Sequence, residues 1–318
     1  MTKKQHKLLI IQLVIALPVI TFIIYKIISF SYWDTFLVWL SNNIQLFIWM
    51  IMLQLLLSVI NIFFETLKWS VLTSILHPQG FRENLRQVLF GILAGMITPA
   101  KIGESVGKAI LLKKGNRQHG IILSFAGSFY QNLVIITAGL VAFFTLKNFF
   151  LFHSDFFRIL SVKIFQYAIL LPVIAILMLF GIYKFLLFLK KNGFSNKIRF
   201  YLQIIKKLKL KTNIQVLILT ISRYAVFSFQ MYIILYFFEI INLSLYVWLI
   251  PLYYLVITFI PAIALVDLGI RSSAALIIFG LVSDNTAGII SSVFIIWFFN
   301  LVIPSLVNIF TLRLKNQK

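Results

Sequence analysis

Long apolar stretches alternate along this chain with short polar segments that carry most of its charge. A helix needs about 20 apolar residues to cross the hydrocarbon core of a bilayer. Stretches that meet this length predict complete membrane-spanning helices at about 8–30, 44–64, 119–146, 164–189, 214–241 and 286–311.

Two more apolar stretches, about 87–112 and 246–282, are interrupted at their centres by proline, glycine and charged residues. The breaks fall at Thr98-Pro99 and at Pro261-Ala262. Backbone groups freed by such breaks must be covered by protein or water, because lipid cannot pair with them. We therefore predict two re-entrant or broken helical hairpins, each of which enters and leaves the membrane on one side. The predicted fold class is an all-α polytopic integral membrane protein.

Composition agrees with a membrane protein and excludes several kinds of site. Of the 318 residues, 61% are hydrophobic and only 12% are charged, which is too little polar surface for a soluble domain of this size. The chain has no cysteine, so disulfides and thiol chemistry are excluded. The four histidines show no ligand spacing, and we expect neither a metal nor a cofactor. They are His6, His77, His119 and His153.

The net charge of +21 follows membrane topology and does not indicate nucleic-acid binding. Most of the 29 basic residues fall in short loops beside apolar stretches, which is typical of cytoplasmic loops. This predicts a multi-pass protein of the inner (cytoplasmic) membrane of the cell with both termini in the cytoplasm. The first apolar run is too long for a signal peptide, and we expect it to be retained. Basic residues assigned to the external side are only Lys26, Lys147, Arg158 and Lys163.

The predicted order of spans and hairpins repeats with opposite orientation. Residues 1–318 then form one domain with two units, about 1–146 and about 163–312, as in transporters with inverted repeats. Leu17-Pro18-Val19-Ile20 in the first span recurs as Leu171-Pro172-Val173-Ile174 in the fourth. Between the units, residues 190–211 are basic and carry an apolar stripe, which predicts an amphipathic helix on the inner membrane surface. The same segment is also explained as a determinant of topology alone.

Charged side chains occur inside both interrupted stretches. Lys101 and Lys108 flank Glu104, and Arg271 follows Asp267 by four residues. On a helix, Glu104 and Lys108 share one face, as do Asp267 and Arg271. A charge at the centre of a span costs about 2.5–3.5 kcal/mol, so each must be paired, solvated or functional.

Arg223 is a further buried charge, because it lies well inside the fifth predicted span. We place the remaining acids at span ends or in loops, and we assign Lys68 to a cytoplasmic loop. These acids are Asp34, Glu65, Glu83, Asp155, Glu239 and Asp284.

The two breaks predict half-helices that begin near Lys101–Gly103 and near Leu268–Gly269. Their N-terminal N–H groups, with the nearby cations, favour an anion such as phosphate. The alternative is a closed ion-pair network that only joins the hairpins, and Gly91, Gly95, Gly103 and Gly107 are explained by helix packing alone. The candidate head-group residues are Lys101, Gly103, Glu104, Lys108, Arg223, Asp267, Gly269 and Arg271, with breaks at Thr98, Pro99 and Pro261 and with Gln131 and Gln230 as cavity-lining candidates.

At these residues the chain resembles the lysylphosphatidylglycerol synthase transmembrane region, also called the flippase-domain family. The first family motif is matched by TPAKIGESVGK at 98–108, and the second by Pro261 followed by DLGIR at 267–271. The Ser128…Gln131 and Ser222-Arg223…Gln230 patterns are also similar, and the resemblance covers nearly the whole chain. Ala100, Lys108 and Ser272 depart from the residues that are usual in the family.

The resemblance implies a lipid flippase or scramblase that passes an anionic or aminoacylated phospholipid head group, or another lipid-linked one, through a charged cavity. Because the sequence continues only briefly after the last predicted span, we expect no aminoacyl-transferase domain. No nucleotide-binding motif occurs, so transport would run downhill or be coupled to an ion. Two alternatives stay open: an intramembrane transferase with Glu104 or Asp267 as general base, and a non-transporting partner subunit of a separate lipid or envelope synthase.

Overall fold

The computed structural model describes residues 33–96, 98, 101–146, 204, 207–241, 245–260 and 264–315. The described residues are helical almost throughout and contain no strand. Short 3-10 turns at Lys114–Asn116 and Leu245–Trp248 precede two of the helices, and a π-helical turn occupies Phe298–Val302. The helices are α1 Trp33–Asn42, α2 Ile44–Thr73, α3 Phe81–Gly95, α4 Ile102–Ile110, α5 Arg117–Thr145, α6 Leu210–Phe237, α7 Leu249–Phe259, α8 Ala264–Phe279, α9 Thr286–Trp297 and α10 Ile303–Lys315.

Four described helical stretches are long and apolar enough to cross a membrane, so this is an all-helical, multi-pass membrane protein. They are Ile44–Thr73, Lys114–Thr145, Leu210–Phe237 and Thr286–Ile309, and they match four of the predicted spans. Large apolar side chains such as Trp49 and Leu56 are exposed on α2, as expected where a helix faces lipid. The predicted spans 8–30 and 164–189 lie outside the described residues.

Several other sequence predictions lie wholly or mostly outside the described residues. They include the Leu17–Ile20 and Leu171–Ile174 match, the external basic residues and most of the amphipathic segment 190–211. At the end of that segment, Lys207–Lys209 are not helical, and α6 begins directly after them at Leu210.

The predicted end of the second span at about residue 64 is wrong, because α2 continues to Thr73. Glu65 and Lys68 therefore lie inside this helix and are buried, whereas the sequence reading placed them at a span end and in a loop. The helix can continue because the two side chains form an ion pair, with Lys68 Nζ 2.6 Å from a Glu65 oxygen. Each charge then has a partner within the protein.

Both interrupted stretches are broken into two short helices. The break in 87–112 falls between α3 and α4, which pack in opposite directions with glycines at their contact. Gly91 of α3 approaches Gly107 and Lys108 of α4, and Gly95 approaches Glu104. The break in 246–282 falls between α7 and α8, which also pack together. Among the break residues, Pro99, Ala100, Pro261 and Ala262 lie outside the described residues.

The order of long helix, short pair and long helical stretch occurs twice among the described residues, in α2–α5 and in α6–α10, where α9, the π-helical turn and the first part of α10 form the long stretch Thr286–Ile309. Each short pair contacts the other half of the molecule, because α3 packs on α10 and α7 packs on α5. The corresponding helices α2 and α6 pack together and run antiparallel. Their contacts join Phe47 to Phe237, Gln54 to Gln230 and Asn61 to Arg223.

Two apolar cores hold these helices in place. The larger contains Tyr253 of α7 and Phe279 of α8, whose rings lie 5.5 Å apart. The smaller surrounds Trp69 and Val88 and joins α2 to α3. Trp69 also fixes this contact by donating a 2.6 Å hydrogen bond from Nε1 to Gln87 Oε1. The cores therefore set the positions of both helix pairs that carry the predicted charges.

Candidate functional site

The first charged cluster forms around Lys108 in the last turn of α4. Its Nζ donates to Glu104 Oε1 at 2.7 Å and to Glu65 Oε1 at 2.6 Å. Glu104 is one helical turn away, as the sequence predicted, but Glu65 belongs to α2. The Lys108 side chain is only 4% exposed, and its ammonium also lies 5.9 Å from the ring centre of Trp69. Such contacts add a cation–π attraction.

Glu65 is the centre of this cluster, and the sequence reading missed it. Lys68, Lys108 and Arg223 all reach its carboxylate, at 2.6, 2.6 and 2.7 Å. The side chain of Glu65 is only 3% exposed. One buried carboxylate thus ties together α2, α4 and α6. A buried charge that loses its partners is strongly destabilising, so these contacts hold three elements of the fold in register.

The helix pair α7–α8 carries an equivalent ion pair. Arg271 Nε donates to Asp267 Oδ2 at 2.8 Å, with the two residues one turn apart on α8. Both α4 and α8 therefore carry an acid followed four residues later by a cation, and in each case the two groups are bonded. Asp267 lies in the first turn of its helix, where the helix dipole favours a negative charge.

The helix pairs α3–α4 and α7–α8 meet at a small cavity. Glu104 of α4 and Lys101 just before it line the cavity together with Asp267 of α8, and the other lining residues are apolar or glycine. The cavity measures about 20 Å³, which is room for about one water. The structure thus brings a cation and an acid of the first interrupted segment together with an acid of the second.

The N-terminus of α4 is already occupied by a side chain. The Gly103 N–H donates to Thr98 Oγ1 at 2.7 Å, so the threonine at the break satisfies one of the free donors of this helix. Lys101, directly before the helix, has a left-handed backbone with φ of 56°. A non-glycine residue in that conformation stores about 1 kcal/mol, and such strain is concentrated at functional sites.

A chain of buried and part-buried hydrogen bonds connects the charged cluster to Gln54 in the N-terminal half of α2. Arg223 Nε donates to Asn61 Oδ1 at 2.8 Å, and Asn61 Nδ2 donates to Asn300 Oδ1 at 3.0 Å. Asn300 Nδ2 then donates to Gln230 Oε1, and Gln54 donates to the Gln230 carbonyl. Asn300 lies in the π-helical turn, a distortion that is frequent at functional sites.

The sequence contained a signal for this chain of hydrogen bonds. Polar residues recur on α2 at intervals of three or four, which places them on one helix face that crosses an otherwise apolar span. All are buried in the structure. They are Gln54, Ser58, Asn61, Glu65 and Lys68.

Gln131 and Gln230 take part in the polar network but do not line the cavity. Gln131 Oε1 accepts from Arg223 Nη1 at 3.3 Å, and Gln230 is fully buried beside Asn300. The predicted start of a half-helix at Leu268–Gly269 is wrong, because α8 already begins at Ala264. The helix extends earlier because Asp267 then falls in its first turn and stabilises it.

Gly269 lies inside α8. Apart from its chain neighbours and the nearby backbone of the same helix, no described atom comes within 4 Å of a methyl group added at this position. Alanine is favoured over glycine in a helix interior by about 0.5–1 kcal/mol. We therefore expect Gly269→Ala to raise the unfolding temperature slightly and to leave the ion pair of Asp267 intact. A lower unfolding temperature in detergent would show instead that another group packs closely here.

Comparisons of the chain with protein-family models, with curated proteins and with solved structures found no match. The site consists of one ion pair on α4, one on α8, one buried carboxylate shared by three cations, and a small cavity between the two helix pairs.

Proposed function

We propose that this protein is a lipid translocator, a flippase or scramblase, and not an enzyme. In this proposal the charged head group of a phospholipid, or of another lipid-linked molecule, passes through the cavity between the hairpins while its acyl chains stay in the bilayer. The observation that carries the proposal is the meeting of exposed Lys101 and part-buried Glu104 with part-buried Asp267 at one cavity in an otherwise apolar bundle. Ionisable side chains inside membrane-spanning bundles are expensive and mark substrate or ion pathways.

The proposed membrane arrangement has six spans and two re-entrant hairpins that approach from opposite sides. It is supported by the repeated helix order and by the antiparallel packing of α2 and α6, since an inverted repeat places equivalent helices in opposite directions. The short lengths of α3, α4, α7 and α8 also suit hairpins that turn back inside the membrane. We further propose that the protein lies in the inner (cytoplasmic) membrane of the cell, with both termini in the cytoplasm.

The cavity sets a requirement on the mechanism. Room for one water is too little for a phosphate, so a head group can enter only when the two hairpins separate. Lys108 is bonded to Glu65 and Glu104 at once, so it still has one carboxylate partner if the other moves away. When Glu104 moves with a head group, Lys108 keeps its bond to Glu65 and does not become an unpaired charge. This is the physical basis for a transport role of Glu104.

We also propose membership of the lysylphosphatidylglycerol synthase transmembrane family, on the strength of the motifs at 98–108 and 267–271. The ion pairs Glu104–Lys108 and Asp267–Arg271 lie in those motifs. Lys108 replaces the usual arginine and makes point contacts with two carboxylates, which an ammonium can do without a planar two-pronged grip.

Transfer of fluorescent phospholipids in vesicles that contain the purified protein tests the proposal. We expect Glu104→Gln and Arg271→Ala each to reduce transfer by about tenfold or more. The first removes the negative charge of the acid that lines the cavity on α4, and the second leaves Asp267, which also lines it, without its bonded cation. The matched control is Glu83→Gln, a change of the same kind at an exposed position in the first turn of α3, which should transfer lipid at the wild-type rate.

Retention of the wild-type rate in both site variants would remove the two ion pairs from the mechanism. Each variant must first elute as a single species from a size-exclusion column, so that lost transfer is not lost folding. Mass spectrometry of the extracted lipids provides a further check. A new lipid product formed by the purified protein would overturn the translocator in favour of an intramembrane transferase.

A further inference from the structure

We propose that the cavity selects a phosphate group with a net negative charge and with no balancing amino group on the same head group. This inference rests on the proposed function and names the substrate class of its site. It excludes zwitterionic and cationic head groups, including aminoacylated ones, as the preferred substrates.

The charge balance around the cavity is the first argument. Five cationic side chains face only three carboxylates in the two clusters and the cavity. The other described acids, Asp34, Glu83, Glu239 and Asp284, are exposed and lie elsewhere. The cations are Lys68, Lys101, Lys108, Arg223 and Arg271, and the carboxylates are Glu65, Glu104 and Asp267.

The ion pairs show where this excess of positive charge is located. Glu65 is shared by three cations, while Asp267 and Arg271 balance each other. Lys101 takes part in none of the ion pairs among the described residues, although it lines the cavity beside Glu104 and Asp267. It is therefore the cation that faces the space a ligand would enter. Its strained backbone holds it there at an energetic cost.

The demand for an anion follows from the unpaired cation. Lys101 lines the cavity without an ion-pair partner among the described residues, and phosphate oxygens would supply the negative charge that it lacks. A head group that brought its own ammonium would add a further cation to a site that already has too many.

Competition between acidic and zwitterionic lipids tests this inference. The full-length protein is reconstituted in vesicles, and the transfer rates of fluorescent phosphatidylglycerol and phosphatidylcholine are compared. We expect phosphatidylglycerol to move at least about tenfold faster, since an unscreened charge contact inside a protein is worth that much or more. Lys101→Gln should reduce this preference severalfold, and Lys101→Arg should retain it.

The control is Lys114→Gln, which removes one charge at an exposed position in the turn before α5 and should leave the lipid preference unchanged. Equal transfer of the two lipids by the wild type would overturn the inference but leave translocation standing. Transfer of neither lipid would remove the proposed function itself. In that case inorganic phosphate is the remaining probe. An unfolding temperature that rises in phosphate for the wild type but not for Lys101→Gln supports an anion site for a soluble phosphate. An unfolding temperature that does not respond to phosphate overturns the anion site.

Discussion

Replacing Glu65 by glutamine is expected to destabilise the protein by about 3–5 kcal/mol, the cost of breaking a buried ion pair by removing one partner. Glutamine keeps the size of the side chain but removes the negative charge. Lys68 and Arg223 then face each other with no carboxylate between them, and Lys108 retains only Glu104. We expect a clear drop in the unfolding temperature of the purified protein in detergent, and lipid transfer should fall with it.

The same change at Glu83 is the control for Glu65→Gln. Glu83 is exposed in the first turn of α3, where loss of its charge costs about 1 kcal/mol or less through the helix dipole. A second variant, Glu65→Gln combined with Lys68→Met, removes one of the stranded cations and should recover part of the lost stability. If Glu65→Gln unfolds at the wild-type temperature, the three cations do not depend on this carboxylate, and the cluster has no organising role.

The behaviour of Glu65 separates a structural role from a transport role. Its side chain is only 3% exposed, whereas that of Glu104 is 25% exposed and lines the cavity. Glu65 therefore holds the cations in place, and Glu104 is the more accessible carboxylate of the cluster. If the proposed function holds, stability should respond most to Glu65 and transfer most to Glu104. The closed ion-pair network and the head-group site stay alternative predictions, and these two variants distinguish them.

Local features of the fold could be predicted from the sequence because they depend on residues close together in the chain. The bonds of Glu104 to Lys108 and of Asp267 to Arg271 follow from helical spacing alone. The breaks in the two interrupted stretches follow from proline and glycine, and four of the spans follow from apolar length.

The role of Glu65 could not be predicted in this way. Its partners Lys108 and Arg223 are distant in sequence, and only the packing of α2 against α4 and α6 brings them together. Ending the span at residue 64 also hid the polar face of α2, because Glu65 and Lys68 then counted as loop residues. A charge at the end of an apolar run is ambiguous, since the pattern alone does not say whether a neighbouring helix covers it. The spacing of Asn61, Glu65 and Lys68 on one face was the available signal.

Adding a methyl group at Gly103 is expected to destabilise the hairpin of α3 and α4 by about 1–3 kcal/mol, as for other overpacked sites. The new carbon would clash with the Ala94 carbonyl oxygen and would lie 2.6 Å from Thr98 Oγ1. The first of these is backbone and cannot rotate away, so the two helices must separate. Separation would also break the hydrogen bond from the Gly103 N–H to Thr98.

The glycines of this hairpin form a graded series that tests the contact geometry. An added methyl group would lie 2.8 Å from Ala94 Cβ at Gly107 and 3.1 Å from Glu104 Cβ at Gly95. We therefore expect the unfolding temperature to fall most for Gly103→Ala, less for Gly107→Ala and least for Gly95→Ala. Gly115→Ala is the control, because nothing lies within 4 Å of its added methyl group. Equal unfolding temperatures across all four variants would show that α3 and α4 do not pack at this distance, and the cavity that depends on their contact would have to be reassigned.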